Sequence, residues 1–373
     1  MRASERLWRI GSDFAGVLPR THRAVSESKD WNPLSLKGIR EFGEVALDEL
    51  ALTSMTLTAP PPKLERTVES CAATGAQLSA LGVAGAHAEP EPLQVKDVRR
   101  LRMGPQTYER LTFEHEPALP DTLMVEGLGG PATAVVHLCR AGSEPRPWLV
   151  WVHGAGQGQP IDLMVARARW LQQVLGYNIA LPVQPGCGVR RDRWPQYPTM
   201  DPLANVAGMM RAVSEVRALV RWLRPQAGTV AVAGVSMGSP VAGLVSHLEP
   251  VDAVAVYTPI AGLNAMIAAH LGRWGPSVHD TIELLGSDAA AQVMAAVDYQ
   301  SVEPTAPERN RLIVGAWHDQ MAGRDTALEL HGRWGGQLHW HRGSHVGHVF
   351  AGGVHGVTER FLRPIGRRDR SGR

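Results

Sequence analysis

Short apolar runs alternate with helix-like segments over most of the chain beyond residue 120. The runs are apolar at almost every position, which is typical of strands buried on both faces of a sheet. Strands are predicted at 132–139, 148–154, 178–185, 229–236, 252–259, 311–319 and 337–343. Helical spacing of apolar residues predicts helices at 161–175, 203–223, 240–248 and 325–335. Strands that alternate with helices indicate βαβ units, so we predict a mostly parallel, doubly wound α/β sheet.

One predicted connection, 260–308, is much longer than the few residues that a βα connection needs. We expect it to be a helical cap or lid inserted into the domain. It carries a set of large apolar residues: Met266, Ile267, Leu271, Trp274, Ile282, Leu284 and Leu285. These side chains could cover a binding site that prefers an apolar group, or they could hold the insertion together.

Residues 1–120 have a different pattern, which predicts an N-terminal helical extension and a leading strand. Apolar residues recur at helical spacing over 39–50 and again over 64–78, with three prolines between the two runs. The extension could pack on the core, mediate a homodimer or roof a pocket. Residues 121–363 then form the main α/β domain, and the basic segment 364–373 is predicted to be a disordered tail.

Composition and charge narrow the function classes. Hydrophobic residues make up 44% and charged residues 20% of 373 positions, which is typical of a folded globular protein. The formal net charge of +2 argues against a dedicated nucleic-acid-binding protein. Three widely spaced cysteines indicate a reducing compartment without a disulfide framework. We see neither a signal peptide nor an apolar run long enough to span a membrane, so a cytoplasmic location is expected.

The sequence Gly234-Val235-Ser236-Met237-Gly238 directly follows a predicted buried strand and leads into a predicted helix. A sharp strand-to-helix turn needs small residues two positions before and after its centre, and its central side chain projects from the end of the sheet. Ser236 also precedes a helix N-terminus, where free N–H groups stabilise developing negative charge. The same five letters could arise by chance in a chain with 39 glycines, but the flanking elements favour a nucleophile.

This turn resembles the nucleophile elbow of the α/β-hydrolase superfamily, in which the partners follow in the order serine, acid, histidine. The similarity covers about residues 121–363, and within the superfamily the chain is most similar to a poorly characterised bacterial branch of hydrolases. The resemblance implies an α/β-hydrolase fold, a serine nucleophile and no cofactor. It does not identify a substrate.

A serine hydroxyl needs an imidazole to accept its proton and a carboxylate to orient that imidazole. Asp319 ends a predicted strand where this fold commonly carries its acid, with Asp325 close behind it. His345 follows the turn after the last predicted strand, in the position of the family's base, and His348 is its main competitor. Together with His339 and His341 these histidines raise the idea of a metal site, but their spacing fits no familiar metal-binding signature.

Acyl transfer also needs two backbone N–H groups that form an oxyanion hole. The elbow geometry nominates the amide of Met237, and the resemblance nominates Ala155, with Gly154 as the neighbouring alternative. The same glycine-rich loop lacks the Lys-Ser/Thr pair of a phosphate-binding loop, which disfavours nucleotide binding.

Arg190, Arg191 and Trp274 are candidate substrate-binding residues, although arginines in a loop are more often simply solvated. We therefore predict a serine hydrolase that cleaves a small-molecule carboxylic ester or thioester through an acyl-enzyme. An acyltransferase with the same triad and a noncatalytic binding protein on this scaffold remain alternatives.

Overall fold

The computed structural model describes residues 3–27, 31–58, 66–142 and 145–367. In these ranges nine strands form a single sheet in the order β1-β2-β3-β5-β4-β6-β7-β8-β9. The strands are β1 Val95–Met103, β2 Gln106–His115, β3 Ala132–Cys139, β4 Trp148–Val152, β5 Asn178–Val183, β6 Val230–Val235, β7 Ala253–Tyr257, β8 Arg311–Ala316 and β9 Gln337–His341. The α/β sheet is mostly parallel, as predicted: β5, β4, β6, β7, β8 and β9 are parallel to their neighbours in that row.

The first three strands run antiparallel to their neighbours and extend the sheet on one side. The seven predicted strands correspond to β3 through β9, each within a few residues of its predicted end. The leading strand is in fact a hairpin, β1 and β2, whose strands pair in register from Val98 with Leu111 to Met103 with Gln106. Gly104 adopts a φ of 54° in its turn, a conformation that favours glycine.

Helices cover both faces of the sheet. They are α1 Ala3–Ser26, α2 Leu36–Thr58, α3 Val68–Ala86, α4 Asp121–Met124, α5 Asp162–Val165, α6 Ala168–Trp170, α7 Pro202–Leu223, α8 Gly238–Leu248, α9 Leu263–Leu271, α10 His279–Leu285, α11 Asp288–Val293, α12 Asp325–Trp334 and α13 Gly352–Arg367. Successive residues of β4 show why the sequence is apolar throughout: Val150 joins the core on the α7 and α8 side, whereas Trp151 joins the core under α13. No helix in the described ranges is both long enough and apolar enough to cross a bilayer.

The long connection between β7 and β8 is helical and contains α9, α10 and α11. Leu271 and Leu285 are buried in a small apolar cluster against which Ile267, Trp274 and Ile282 pack, whereas Leu284 joins the core on the α7 and α8 side of the sheet. The predicted disordered tail begins too early, because residues 364–367 complete α13. The remainder of that segment, 368–373, lies outside the described residues.

The N-terminal helices correspond in part to the prediction. Helices α2 and α3 lie where the two runs of apolar residues predicted them, whereas α1 was not predicted. Helix α3 packs on α11 of the insertion, and α2 packs on α1 and on the segment Gly347–Phe350 beyond β9. The extension is thus joined to the α/β domain at two places, one of which lies beside the predicted histidine.

Candidate active site

Ser236 lies in the tight turn between β6 and α8. Its φ of 51° lies in the left-handed region, which costs a side-chain-bearing residue free energy and is concentrated at functional sites. The turn is fixed from both sides, because the Ser236 amide donates to the carbonyl oxygen of Tyr257 at 2.9 Å and the Ser239 amide donates to the carbonyl oxygen of Ser236 at 2.8 Å. The side chain of Ser236 is thereby held at the carboxyl end of the sheet.

The glycines of the motif have the steric role that the sequence predicted. A Cβ atom on Gly234 would overlap the backbone of Gly238, and one on Gly238 would overlap the carbonyl oxygens of Val152 and His153. The turn is therefore pressed against the end of β4. The strand order also reverses at β4, because the chain continues from β4 to β5 on one side of it and then to β6 on the other side. Open α/β sheets bind ligands at such a switch point.

The structure brings Asp319 and His345 to Ser236. The His345 Nε2 atom lies 2.7 Å from the Ser236 Oγ atom, and the Nδ1 atom lies 2.8 Å from the Asp319 Oδ2 atom. The second carboxylate oxygen of Asp319 accepts hydrogen bonds from the amides of Met321 and Ala322, each at 2.8 Å. The side chains of His345 and Asp319 are 4% and 2% exposed. The three side chains form one continuous hydrogen-bonded chain.

The charges in this chain stabilise one another. Burial alone would lower the pKa of His345, but the charge and hydrogen bond of Asp319, with a further contribution from the charge of Asp48, raise it above its usual value. Burial would likewise raise the pKa of Asp319, yet the charge of His345 and the hydrogen bonds from His345, Ala322 and Met321 lower it. The arrangement therefore favours an imidazolium facing a carboxylate.

The other histidines of the cluster point elsewhere. The His348 Nδ1 atom lies 2.6 Å from the His345 carbonyl oxygen, its ring stacks on Tyr257, and burial lowers its pKa to about 4. The His341 Nε2 atom lies 2.9 Å from a carboxylate oxygen of Glu44. Of the two competitors for the base, only His345 contacts Ser236. Within the described ranges no three His, Cys, Asp or Glu side chains are arranged to hold a metal ion.

The loop after β4 lies against the serine. A Cβ atom on Gly154 would come 3.3 Å from the Cβ atom of Ser236. The amide of Gly154 itself donates to the side-chain oxygen of Gln157 at 2.7 Å. That bond occupies the amide of Gly154, and Ala155 stays the predicted second donor beside Met237.

Arg190 does not have the predicted role in substrate binding. Its guanidinium makes two hydrogen bonds to Glu215, at 2.7 and 2.9 Å, and a third to the Val183 carbonyl oxygen, and its side chain is 2% exposed. Because this bidentate pair is buried, the guanidinium is not presented at the surface where a ligand would bind. Arg191 is exposed and Trp274 half-buried, and their contact with substrate stays a prediction. Burial raises the pKa of the Cys187 thiol to about 12, which makes it a poor nucleophile.

The sequence analysis missed a carboxylate beside the histidine. Asp48 on α2 is fully buried and accepts hydrogen bonds from the amides of Gln320, His345 and Val346. A signal for it exists in the sequence, because Glu41, Val45, Asp48 and Leu52 recur on one face of α2. Two acids alternate there with two apolar residues, so burial of this face would place carboxylates in the interior.

Comparisons with known proteins add a relative of unassigned function. No protein-family model matches the chain. The chain is 31% identical to the uncharacterized protein Rv2627c of Mycobacterium tuberculosis H37Rv over 277 residues, or 70% of this chain and 66% of that protein. The corresponding protein of the CDC 1551 strain, MT2702, matches equally well. The match thus spans 66% of the length of these curated relatives.

Similar solved structures include an acetyl xylan esterase from Paenibacillus sp. R4, with a TM-score of 0.49 and 15% identity over 81% of this chain and 96% of that chain. An esterase from Pyrococcus furiosus has a TM-score of 0.47 and 13% identity over 82% and 97% of the two chains. Similarity at these levels does not extend to the chemistry of a site. The strand order, the turn at Ser236 and the order of its partners along the chain define the fold.

Proposed function

Because the chain belongs to the α/β-hydrolase superfamily by its fold, we propose that it is a serine hydrolase that cleaves a carboxylic ester or thioester through an acyl-enzyme. The observation that carries this proposal is the continuous hydrogen-bonded chain from Ser236 through His345 to Asp319. Each group has the partner that its role requires, since the hydroxyl faces an imidazole nitrogen and the other nitrogen faces a buried carboxylate.

In the first half-reaction the Ser236 Oγ atom attacks the carbonyl carbon of the substrate, and its proton passes to the His345 Nε2 atom. The negative charge moves to the carbonyl oxygen, where the amides of Met237 and Ala155 stabilise it. When the carbonyl bond re-forms, the bond to the alcohol or thiol breaks and His345 returns its proton to that leaving group. Asp319 stabilises the imidazolium throughout this step.

In the second half-reaction His345 removes a proton from water as the water oxygen attacks the acyl carbon. Collapse of the second tetrahedral intermediate breaks the bond to Ser236 Oγ, which recovers the proton from His345. The products are a carboxylic acid and the unmodified enzyme. We infer an apolar acyl group from Met266, Ile267 and Trp274, the apolar residues of the insertion that are only partly buried, with Arg191 and Trp274 as candidate contacts.

A fluorophosphonate probe tests the proposed nucleophile, because it reacts covalently with activated serines. Wild-type protein should be labelled, and Ser236→Ala should lose the label. Ser239→Ala is the matched control, since Ser239 lies three residues along the chain and its hydroxyl donates to the carbonyl oxygen of Gly234. Equal labelling of wild type and Ser236→Ala, or no labelling of folded wild type, would contradict the proposal.

The substrate class requires a second experiment with p-nitrophenyl esters and thioesters of graded acyl length. We expect release of the chromophore to require both Ser236 and His345. A rise in kcat/KM with acyl length would support an apolar acyl site. Product analysis with an added alcohol separates hydrolysis from acyl transfer, because only a transferase would form the new ester in preference to the free acid.

A further inference from the structure

Helix α2 places a third carboxylate behind the two loops that carry Asp319 and His345. One oxygen of Asp48 accepts hydrogen bonds from the amide of His345 at 2.8 Å and from the amide of Gln320 at 3.2 Å. Its other oxygen accepts from the amide of Val346 at 2.8 Å. The three donors are His345 itself, the residue after it and the residue after Asp319.

These contacts matter because Asp319 and His345 stand on separate loops, beyond the ends of β8 and β9. Backbone amides at such strand ends need acceptors from outside the sheet. Asp48 supplies an acceptor to both loops with a single side chain that is fully buried. The distance between the acid and the base of the proposed triad is therefore set partly from outside the α/β domain.

The neighbouring carboxylates of α2 hold the helix in place. Glu44 contacts His341 at the end of β9, and its carbonyl oxygen accepts from the Ser344 hydroxyl at 2.7 Å. Glu49 pairs with Arg20 of α1 and Arg273 of the insertion. Helix α2 is thus joined to the histidine loop, to α1 and to the insertion by charged hydrogen bonds, which are among the stronger polar contacts in proteins.

A buried carboxylate is costly unless hydrogen bonds and nearby charge compensate it. The charge of His345 stabilises the charged form of Asp48, and the charge of Asp319 opposes it. Burial is the largest influence and raises the pKa of Asp48. A purely apolar residue at this position would avoid that cost, so the carboxylate is explained by what it does for the two loops.

We propose that Asp48 is a positioning residue of the active site, which holds the loop of Asp319 and the loop of His345 in register through their backbone amides. The proposal rests on the proposed function for its catalytic consequence, whereas its structural part stands independently. Helix α2 of the N-terminal extension is then a component of the active site.

The variant Asp48→Asn tests this role. An asparagine keeps the shape but presents an NH2 group in place of one acceptor oxygen, so at least one of the three bonds is lost and the charge is removed. A displacement of catalytic groups by about 1 Å can cost about 10²-fold in rate. We expect kcat/KM for a p-nitrophenyl ester to fall by about that factor, mainly through kcat.

Removal of the charge also has a distinct signature. Among the groups that face His345, Asp319 and Asp48 raise its pKa, and His348 is neutral. Asp48→Asn should therefore move the acidic limb of the kcat/KM profile to lower pH. A loss of general stability would reduce the amount of active protein without moving this limb.

Glu49→Gln is the matched control, since Glu49 is the next residue on the same helix and its carboxylate contacts neither catalytic loop. It should lower the melting temperature and leave the acidic limb in place. Hydrogen exchange of the amides of Gln320, His345 and Val346 should speed up in Asp48→Asn and not in Glu49→Gln. An equal loss of kcat/KM and an equal shift of the limb in both variants would overturn the specific role of Asp48.

The exchange measurement separates this proposal from the proposed function. If wild type neither labels nor hydrolyses esters, the proposed function fails, and faster exchange at the three amides still supports the structural part. Unchanged exchange together with unchanged kcat/KM in Asp48→Asn overturns the proposal. Should Asp48→Asn fail to fold, wild type alone decides the structural part: exchange of the His345 and Val346 amides at the rate of an unfolded chain would overturn it.

Discussion

At the scale of single residues, two carboxylates act on the imidazole of His345. Asp319 acts through a direct hydrogen bond and its charge, and Asp48 acts through its charge from farther away. Asp319 binds its Nδ1 atom, and Asp48 binds the backbone amide of the same residue. Both carboxylates stabilise the protonated ring, which is the form that the proposed attack by Ser236 would produce. The same stabilisation has a consequence in the resting enzyme, since a proposed general base must be unprotonated to act.

We therefore predict that kcat/KM rises with pH through an acidic limb whose midpoint lies above 6.5, the ordinary value for histidine. The sign follows from the raised pKa of His345: below that pKa the ring is protonated in the free enzyme and cannot accept the serine proton. The profile of kcat/KM against pH for a p-nitrophenyl ester measures this midpoint directly.

Asp319→Asn should lower the midpoint, because it removes the larger of the two stabilising charges, and should reduce kcat/KM by about 10³–10⁴-fold. A midpoint below pH 6.5 in wild type would contradict this electrostatic account of the site. So would an unchanged midpoint in an Asp319→Asn protein that retains measurable activity.

At the scale of elements, α2 buries carboxylates together with apolar residues on the face that it packs against the rest of the protein. Its carboxylates Glu41, Glu44, Asp48 and Glu49 are at most 8% exposed. Several of its apolar residues lie at the surface, including Leu36, Ile39, Leu47 and Leu50. The apolar residues that recur at helical spacing over 39–50 therefore do not form its buried face, since Ile39 and Leu50 are 57% and 41% exposed. The partners of the acids determine which face is buried.

Two leucines of α2 give a test of this orientation. Leu52 is 3% exposed and Leu50 is 41% exposed. Leu52→Ala should therefore lower the free energy of unfolding by about 2–5 kcal/mol, since it leaves a cavity. Leu50→Ala should change it by about 0.5 kcal/mol or less. Chemical denaturation of both variants beside wild type measures the difference, and equal losses would show that α2 is rotated from the orientation described.

At the scale of the whole molecule, the sequence predicts the α/β sheet well because buried parallel strands have a direct signature. The central runs 148–154, 178–185, 229–236 and 252–259 needed no long-range information, since their strands are apolar and buried on both faces. The edge run 337–343 is more polar and its strand is only partly buried. Ser236, Asp319 and His345 could be proposed because each follows one of these strands, and parallel strands bring such residues to one edge of the sheet.

The other features of the site depend on contacts between distant residues, which the pattern of apolar and polar residues does not indicate. Asp48 lies 297 residues before His345 in the chain, and neither local sequence predicts a contact with the other. Arg190 was nominated for substrate binding because its partner Glu215, 25 residues away on a helix, is not evident from the loop sequence. In both cases a charged side chain was judged by its own neighbourhood, whereas the structure buries it against a distant partner.

The buried histidines lead to a prediction about the pH dependence of the whole fold. Burial lowers the pKa of His87, His137, His153 and His348 to about 4. Below pH 6.5 the unfolded chain binds protons that the folded chain does not accept until about pH 4. Each such histidine therefore contributes stability that is present above 6.5 and is lost as the pH falls toward 4, at up to about 1.4 kcal/mol per pH unit.

His345 has the opposite effect on the free energy of unfolding, because its pKa is raised in the folded protein. Its contribution to stability is present below pH 6.5 and is lost as the pH rises through its pKa in the folded state. The four histidines with lowered pKa values have a larger combined effect than His345. Urea unfolding should therefore give a markedly smaller free energy of unfolding at about pH 5 than at about pH 7. His137 is fully buried on β3 and contacts the ring of Tyr108, which makes His137→Leu the natural test. In that variant the free energy of unfolding should change less steeply with pH, by up to about 1.4 kcal/mol per pH unit. An unchanged dependence on pH would mean that His137 does not remain neutral in the folded protein.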